Sequence, residues 1–265
     1  MMDLLDKPRI VAIIQARMNS SRLPGKVLKE IMGTPMLLHV VNRTRRASSV
    51  DEIMVATTLD GSDDPIESLC NQYGIPIYRG SQFDVLDRYY QAAVQANAEV
   101  IIRITADCPL IDPEEIDLTV DAFLNSGVDF AANRLPWGRN VPIGFDTEVC
   151  TFTALERAWQ EAVLPFEREH VMPYLYDQPG RFNVLLVRRD PDYGHYRWTV
   201  DTPEDFKFIC NIFEHFGGRD DMTYQEILDL VHAHPELQEI NAGIVHKTFQ
   251  DIDARAQKEN SQDKA

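Results

Sequence analysis

The 265-residue sequence is short of cysteine, of long apolar runs and of positive charge, and each shortage removes a class of protein. Its four cysteines, Cys70, Cys108, Cys150 and Cys210, stand at least 38 residues apart with no CxxC pair. Such spacing predicts reduced, packed thiols rather than a disulfide framework or a zinc site. No apolar run reaches ten residues, whereas a bilayer-crossing helix needs about 20. The opening MMDLLDKPRI holds two acidic residues and no apolar stretch of signal length, so a cytoplasmic location without membrane association is expected. Basic residues number 26 against 42 acidic, a net charge of −16. That balance lacks the basic surface that neutralises a nucleic-acid backbone, and no nucleic-acid partner is expected. GxGxxG and Walker A phosphate loops are also missing.

Positive charge is present in one place. The first fifty residues hold nine basic side chains against three acidic ones, a local balance of +6. Basic charge confined to one end of an acidic chain predicts a concentrated anion site. Residues 9–15 (RIVAIIQ) are nearly continuously apolar, the mark of a strand buried on both faces of a parallel sheet. A helix is expected around 36–46, with Arg43, Arg45 and Arg46 at its far end, solvated or complementing the helix dipole. Strands at 52–57, 76–78 and 100–104 then alternate with helices at 63–73, 84–97 and from Pro113. Strand–helix alternation predicts βαβ units: an α/β fold with a mostly parallel, doubly wound sheet flanked by helices. Beyond residue 130 the pattern loosens. A long loop covers 134–145, helices are expected at 153–163 and 165–176, and strands at 183–188 and 197–200. The last long helix spans 203–216, and 251–265 reads as a polar tail. No linker divides the chain, so 1–250 reads as a single domain.

Three segments carry chemistry. QARMNSSRLPGK (15–26) follows the first strand, where ligands bind in open α/β sheets. Arg17 and Arg22 can fork onto phosphate oxygens, Lys26 can act as a point charge, and Gly25 allows close backbone approach. The alternative is a solvated βα loop. RITADCPLID (103–112) places Asp107 just past a strand, where a carboxylate facing a phosphate loop suits Mg²⁺; a helix cap or a salt bridge to Arg103 is the other reading. Cys108 beside it reads as a packed small side chain. RWTVDTPED (197–205) repeats the arrangement with Asp201, followed by Thr202 as a helix cap and Pro203 in the first turn. A basic loop with two strand-end aspartates is the pattern of phosphoryl-transfer sites.

Together these segments resemble the cytidylyltransferases that activate acidic sugars, the CMP-sialic acid and CMP-KDO synthetase superfamily, and most closely the branch named for spore-coat polysaccharide biosynthesis. The likeness covers roughly residues 9–215 and includes ATT (56–58), GSQFDVLDRY (80–89) and EREHV (167–171). It implies a Rossmann-like nucleotidyltransferase fold, CTP as substrate, Mg²⁺ as cofactor and pyrophosphate as product. It implies a nucleotide-binding half at about 9–130 and an acceptor and dimerisation half at about 131–216. By position, Gln15, Ala16 and Arg17 would lie near the cytosine and phosphates, and Ser21, Arg22 and Lys26 would hold the triphosphate. Gly25 and Arg103 complete the nucleotide set. Asp107 and Asp201 match the metal-binding aspartates, and with Arg17 and Lys26 they form the expected catalytic group. The KDO enzymes typically carry proline at the position of Gln15, and their sugar-acid pocket has no recognisable counterpart here.

The acceptor side is read from residue types. Asp146 and Glu148 in VPIGFDTEV (141–149) stand at strand spacing, suited to amine or hydroxyl groups of an acceptor or to a solvated strand face. His195 and Arg197 suit an acceptor anion or a loop surface. The expected function is CMP transfer from CTP to a small anionic, sugar-type acceptor, by a homodimer as in relatives. A nucleotide-sugar-dependent glycosyltransferase of related fold, or a non-catalytic nucleotide-binding module, is the alternative. Three cations in the basic loop favour a triphosphate over a nucleotide diphosphate sugar.

Overall fold

The apolar run after Arg9 becomes the central strand β1 (Ile10–Gln15), whose first five residues have no exposed surface. The computed structural model describes residues 7–245; residues 1–6 and the polar tail expected at 251–265 lie outside that range. Six more strands join β1: β2 (Glu52–Thr58), β3 (Ile77–Gly80), β4 (Val100–Thr105), β5 (Phe130–Ala132), β6 (Glu148–Thr151) and β7 (Val184–Leu186). They hydrogen-bond in the order β7–β5–β6–β4–β1–β2–β3. All pairings are parallel except the two made by β6. The expected mostly parallel sheet is present, with one reversed strand.

The helices are α1 (Met36–Arg45), α2 (Asp64–Gln72), α3 (Val85–Gln95), α4 (Pro113–Ser126) and α5 (Phe152–Glu161). Two short ones, α6 (Pro165–His170) and α7 (Pro173–Tyr176), precede α8 (Pro203–His215) and α9 (Tyr224–Ala233). Alternation along the strands divides their side chains between two cores. Ile10, Ala12 and Ile14 pack with residues of α1, α2, α4, α8 and α9. Val11 and Ile13 pack with α3, α5 and α7. Helix starts follow their caps: Asp112 accepts the Glu114 and Glu115 N–H groups ahead of Pro113, and Thr202 opens α8 in a capping box with Asp205.

Several expectations change in the second half. The helix expected over 165–176 is two helices, separated at Val171, whose φ of 70° lies in the left-handed region that a β-branched residue rarely enters. Pro173 then starts α7, where its missing N–H is harmless. Residues 197–200 are not a sheet strand. Their N–H groups are committed to loops: Trp198 donates to Ile143 O at 2.7 Å and Val200 to Asp107 O at 2.8 Å. The segment therefore crosses the carboxyl ends of the strands. Strand β6 begins only at Glu148, so Asp146 precedes it. Helix α9 was not expected; its sequence signal is the Thr223–Glu226 capping box. Arg43 is not solvated but wholly buried, donating to Ile111 O at 2.7 Å and Asp220 O at 2.8 Å.

Gly144 fixes the crossing segment in place. Its φ is +114°, and a Cβ there would stand 2.8 Å from the Thr199 nitrogen and the Trp198 carbonyl carbon. Gly144→Ala is expected to cost about 2–3 kcal/mol, because it combines backbone strain with a steric clash. Thermal unfolding measures it; an unchanged melting temperature would show that the 197–201 segment is not clamped.

Candidate active site

Strand order reverses at β1. The chain builds outward through β2 and β3, then returns to β4 on the other side of β1. In such sheets the crevice outside the carboxyl ends of the two central strands receives the ligand. A cleft of about 400 Å³ lies there, within the range of small-molecule sites. Of the expected residues, Gln15, Arg17, Ser21, Arg22, Lys26, Asp107 and Asp201 all line it. Segments more than 170 residues apart in sequence thus meet in one cavity: Lys26 Nζ donates to the Val200 carbonyl across a separation of 174 residues.

The basic loop is held from its own backbone. Ala16 N–H extends the β1–β2 ladder to Ala56 O at 3.1 Å. Met18 N–H donates to the Asp63 carboxylate at 2.7 Å, and Asp63 also accepts from Thr57 Oγ1 and from Thr58. Gly25 closes the loop through its N–H to Met18 O at 2.8 Å, with a φ of 70° that glycine adopts without penalty. The chain then turns into the short 3₁₀ helix Lys26–Leu28, and the Lys26 side chain is buried.

Lys26 is the hub of the charges. Its ammonium donates to Asp107 at 2.9 Å, to Asp201 at 3.0 Å and to the Val200 carbonyl at 2.7 Å. Arg22 reaches the other Asp201 oxygen at 3.1 Å. Arg197 donates to that oxygen at 2.9 Å while its Nε and Nη2 hold Asp205 at 2.9 and 2.8 Å. Asp205 also accepts the Asp201 and Thr202 N–H groups, and Asn241 braces both Asp205 and the Arg197 carbonyl. Burial penalises the Lys26 ammonium, but Asp107 and Asp201 outweigh it and hold its pKa above the ordinary lysine value. Burial likewise works against an ionised Asp201, yet Lys26, Arg22 and Arg197 hold its carboxyl below the usual range.

Two carboxylates converging on one cation are the donor set that Mg²⁺ takes when phosphate oxygens and water complete its shell. Among the described residues no three His, Cys, Asp or Glu side chains gather to enclose a metal without such help. Arg17 and Ser21 are exposed and make no hydrogen bond or ion pair within the described residues, so their polar groups are open to a ligand.

The remaining expected residues lie elsewhere. Ala16 is buried behind the loop. Arg103 does not line the cleft; it is paired with Glu148. Asp146 is gripped by Arg139 at 2.5 and 2.8 Å and touched by Arg134 at 3.3 Å. His195 is exposed, packed against the Tyr196 ring. Arg197 sits behind Asp201 rather than with Asp146. Sequence reading missed Asp63, Asp205 and Asn241, which position the site from behind. Asp205 could have been found as the N3 residue of the capping box; Asp63 is held by Thr57 and Thr58 just upstream and by Met18 from afar, and Asn241 has only distant partners.

A doubly wound sheet whose switch crevice holds a basic loop, Asp107 just past β4 and Asp201 just past the crossing segment has the site of a nucleotidyltransferase. Over residues 11–239 the sequence matches the cytidylyltransferase family model, and the chain belongs to that family. It is a nucleotidyltransferase that uses CTP. A solved cytidylyltransferase from Leptospira borgpetersenii is 32% identical, with a TM-score of 0.84, 90% of this chain and 100% of that one being covered. The spore coat polysaccharide biosynthesis protein SpsF of Bacillus subtilis is 32% identical over 86% of this chain and 95% of its own length. The 3-deoxy-manno-octulosonate cytidylyltransferase of Geobacter metallireducens is 36% identical over 45% of this chain and 48% of its own.

The charge hub has a pH signature. Asp201, with its pKa depressed, contributes stability above the unfolded carboxylate value of about 4 and loses it as pH falls through the lowered folded value. Lys26, with its pKa raised, contributes below about 10.4 and loses that as pH rises through its folded value. Lys26→Met is therefore expected to destabilise the protein most between those limits, by about 3 kcal/mol, and to raise the Asp201 pKa. Denaturation across pH and carboxylate NMR titration check both; an Asp201 pKa unmoved by the substitution would overturn the coupling.

Proposed function

We propose that the protein transfers CMP from CTP to a small acidic sugar, releasing pyrophosphate, in the synthesis of surface-polysaccharide precursors. The observation that carries this reading is the cleft in which Arg17, Ser21, Arg22 and Lys26 stand opposite Asp107 and Asp201. Residues 9–130 supply the nucleotide half and 131–216 the acceptor half, with Gln15 at the base end and Ala16 packed behind it, in a cytoplasmic homodimer.

The chemistry needs charge neutralised more than bonds rearranged by side chains. The acceptor oxygen attacks the α-phosphorus in line, a hydroxyl acceptor giving up its proton to water, the bond to the bridging oxygen breaks, and pyrophosphate leaves with the electron pair. Arg17, Arg22 and Lys26 cover the β- and γ-phosphates and favour the charge that develops on the leaving group. The hydrogen bonds of the loop backbone to Asp63 and Met18 keep those cations in place before substrate arrives, so little reorganisation is needed during reaction. Mg²⁺, held by Asp107 and Asp201, would supply further neutralisation at the phosphate oxygens. Asp205 and Arg197 hold Asp201 for that role.

Incubation with CTP, Mg²⁺ and a panel of sugar acids and sugar phosphates is expected to release pyrophosphate. EDTA should abolish the release, and Asp107→Ala should lower kcat by about 10²–10³. Full turnover in EDTA would sink the metal role. Nucleoside diphosphate released from a sugar nucleotide, with no pyrophosphate from CTP, would point to glycosyl transfer instead.

A further inference from the structure

Two demands fall on Lys26. Covering phosphates and pairing with Asp107 and Asp201 both need its ammonium, and an ammonium has three protons to donate. All three are spent: on Asp107 Oδ2 at 2.9 Å, on Asp201 Oδ1 at 3.0 Å and on the Val200 carbonyl at 2.7 Å. In this arrangement Lys26 has nothing left for a nucleotide.

The acids are closed by the same contacts. Asp201 has no open oxygen, because Oδ1 faces Lys26 while Oδ2 receives Arg22 at 3.1 Å and Arg197 at 2.9 Å. Asp107 Oδ2 faces Lys26 as well; its Oδ1 meets only the Cys108 thiol, 3.6 Å away, among the described residues. Mg²⁺ sits about 2.1 Å from carboxylate oxygens. An ion at that distance from the two facing oxygens would take the space that the ammonium fills. Ion and ammonium are therefore alternatives, not neighbours.

The two sides of the cluster are held differently. Behind Asp201, Arg197 grips both Asp205 oxygens, and Asn241 braces Asp205 and the Arg197 carbonyl. Asp201 thus keeps its place whichever cation stands before it. Lys26 carries its charge on a flexible four-carbon stem, and it lines the open cleft beside Arg17 and Ser21. A movable cation faces a fixed acid.

We propose that Lys26 is an internal stand-in for the divalent ion: in the free protein its ammonium closes Asp107 and Asp201 to metal, and the phosphates of the nucleotide draw it off and open the pair. The release by phosphates rests on the cytidylyl-transfer reading, whereas the closure of the acids rests on the contacts of Lys26 alone. Binding is thereby ordered. Metal by itself meets an occupied pair; a nucleotide takes up the ammonium and leaves both carboxylates free.

Mn²⁺ binding to the full chain without nucleotide, followed by the paramagnetic signal of the free ion, reads the closure. Lys26→Met is expected to bind Mn²⁺ about 10–100-fold more tightly than wild type, since no charge-assisted hydrogen bond has to be displaced. Arg17→Met removes a cleft cation that pairs with neither acid, and its Mn²⁺ affinity should stay near that of wild type. Because Lys26→Met loses stability by itself, melting gives a second readout: Mn²⁺ should raise its melting temperature more than that of wild type. In the wild-type protein, CTP bound in EDTA should shift the carboxyl carbon resonances of Asp107 and Asp201, and Lys26→Met should lose that shift. The proposal is overturned if Lys26→Met binds Mn²⁺ no more tightly than wild type, if Arg17→Met gains as much, or if bound CTP leaves both aspartates unmoved. CTP that binds only together with Mg²⁺ would overturn the release by phosphates. CTP that binds under neither condition would overturn the nucleotide reading, and tighter Mn²⁺ binding by Lys26→Met would still support the closure.

Discussion

The ammonium of Lys26 between Asp107 and Asp201 is the contact on which the rest of the active face depends. Two carboxylates brought together in a half-buried crevice repel each other, and a cation between them offsets that repulsion. Lys26 bridges the pair, and its bond to the Val200 carbonyl ties the crossing segment to the basic loop. Everything that locates Lys26, from the Gly25 turn to the loop's attachment at Asp63, therefore also locates the acids. Everything behind Asp201, from Arg197 to Asn241, resists the pull of the ammonium from the other side. The site is a tensioned arrangement of charges whose members share a single balance.

That balance explains where the basic half of the charge pattern goes. Arg22 and Lys26 are committed to Asp201, and Lys26 to Asp107 as well, while Arg17 lines the cleft with no partner among the described residues. An incoming polyanion thus meets Arg17 open to it and two further cations that must be shared. Arg43, from the same basic stretch, has no part in this; it is a strut that ties α1 to the loops around Ile111 and Asp220. Clustered positive charge in the sequence had two unrelated destinations, the lining of the cleft and the core.

The first half of the chain was legible because its signals are local. RIVAIIQ is a buried strand by its apolar run alone, and the loop after it falls at the ligand edge by topology. Asp107 and Asp201 could be named because each follows a strand-like run. The second half was not legible in the same way. Residues 197–200 have strand composition but spend their backbone hydrogen bonds on loops at Ile143 and Asp107, which only the tertiary structure reveals. Asp146 and Glu148 looked like free carboxylates because their arginine partners, Arg139 and Arg103, are distant in sequence or hidden in a loop. Helix α9 carried a capping box and was still missed, since a short helix after an irregular stretch has little periodicity to weigh.

The reversal of β6 has a consequence for how the crevice is edged. A parallel strand delivers its end to the reactive edge; an antiparallel one delivers its beginning. The segment from Asn133 to Thr147, which leads into β6, therefore forms the rim beside the crevice while belonging to neither β1, β2 nor β4. It meets β1 and β4 only through β6, while its Ile143 and Gly144 hold the segment that carries Asp201. The topology thus gives one crevice two kinds of edge within one sheet: strand ends that carry the basic loop and Asp107, and a rim entered from the reversed strand.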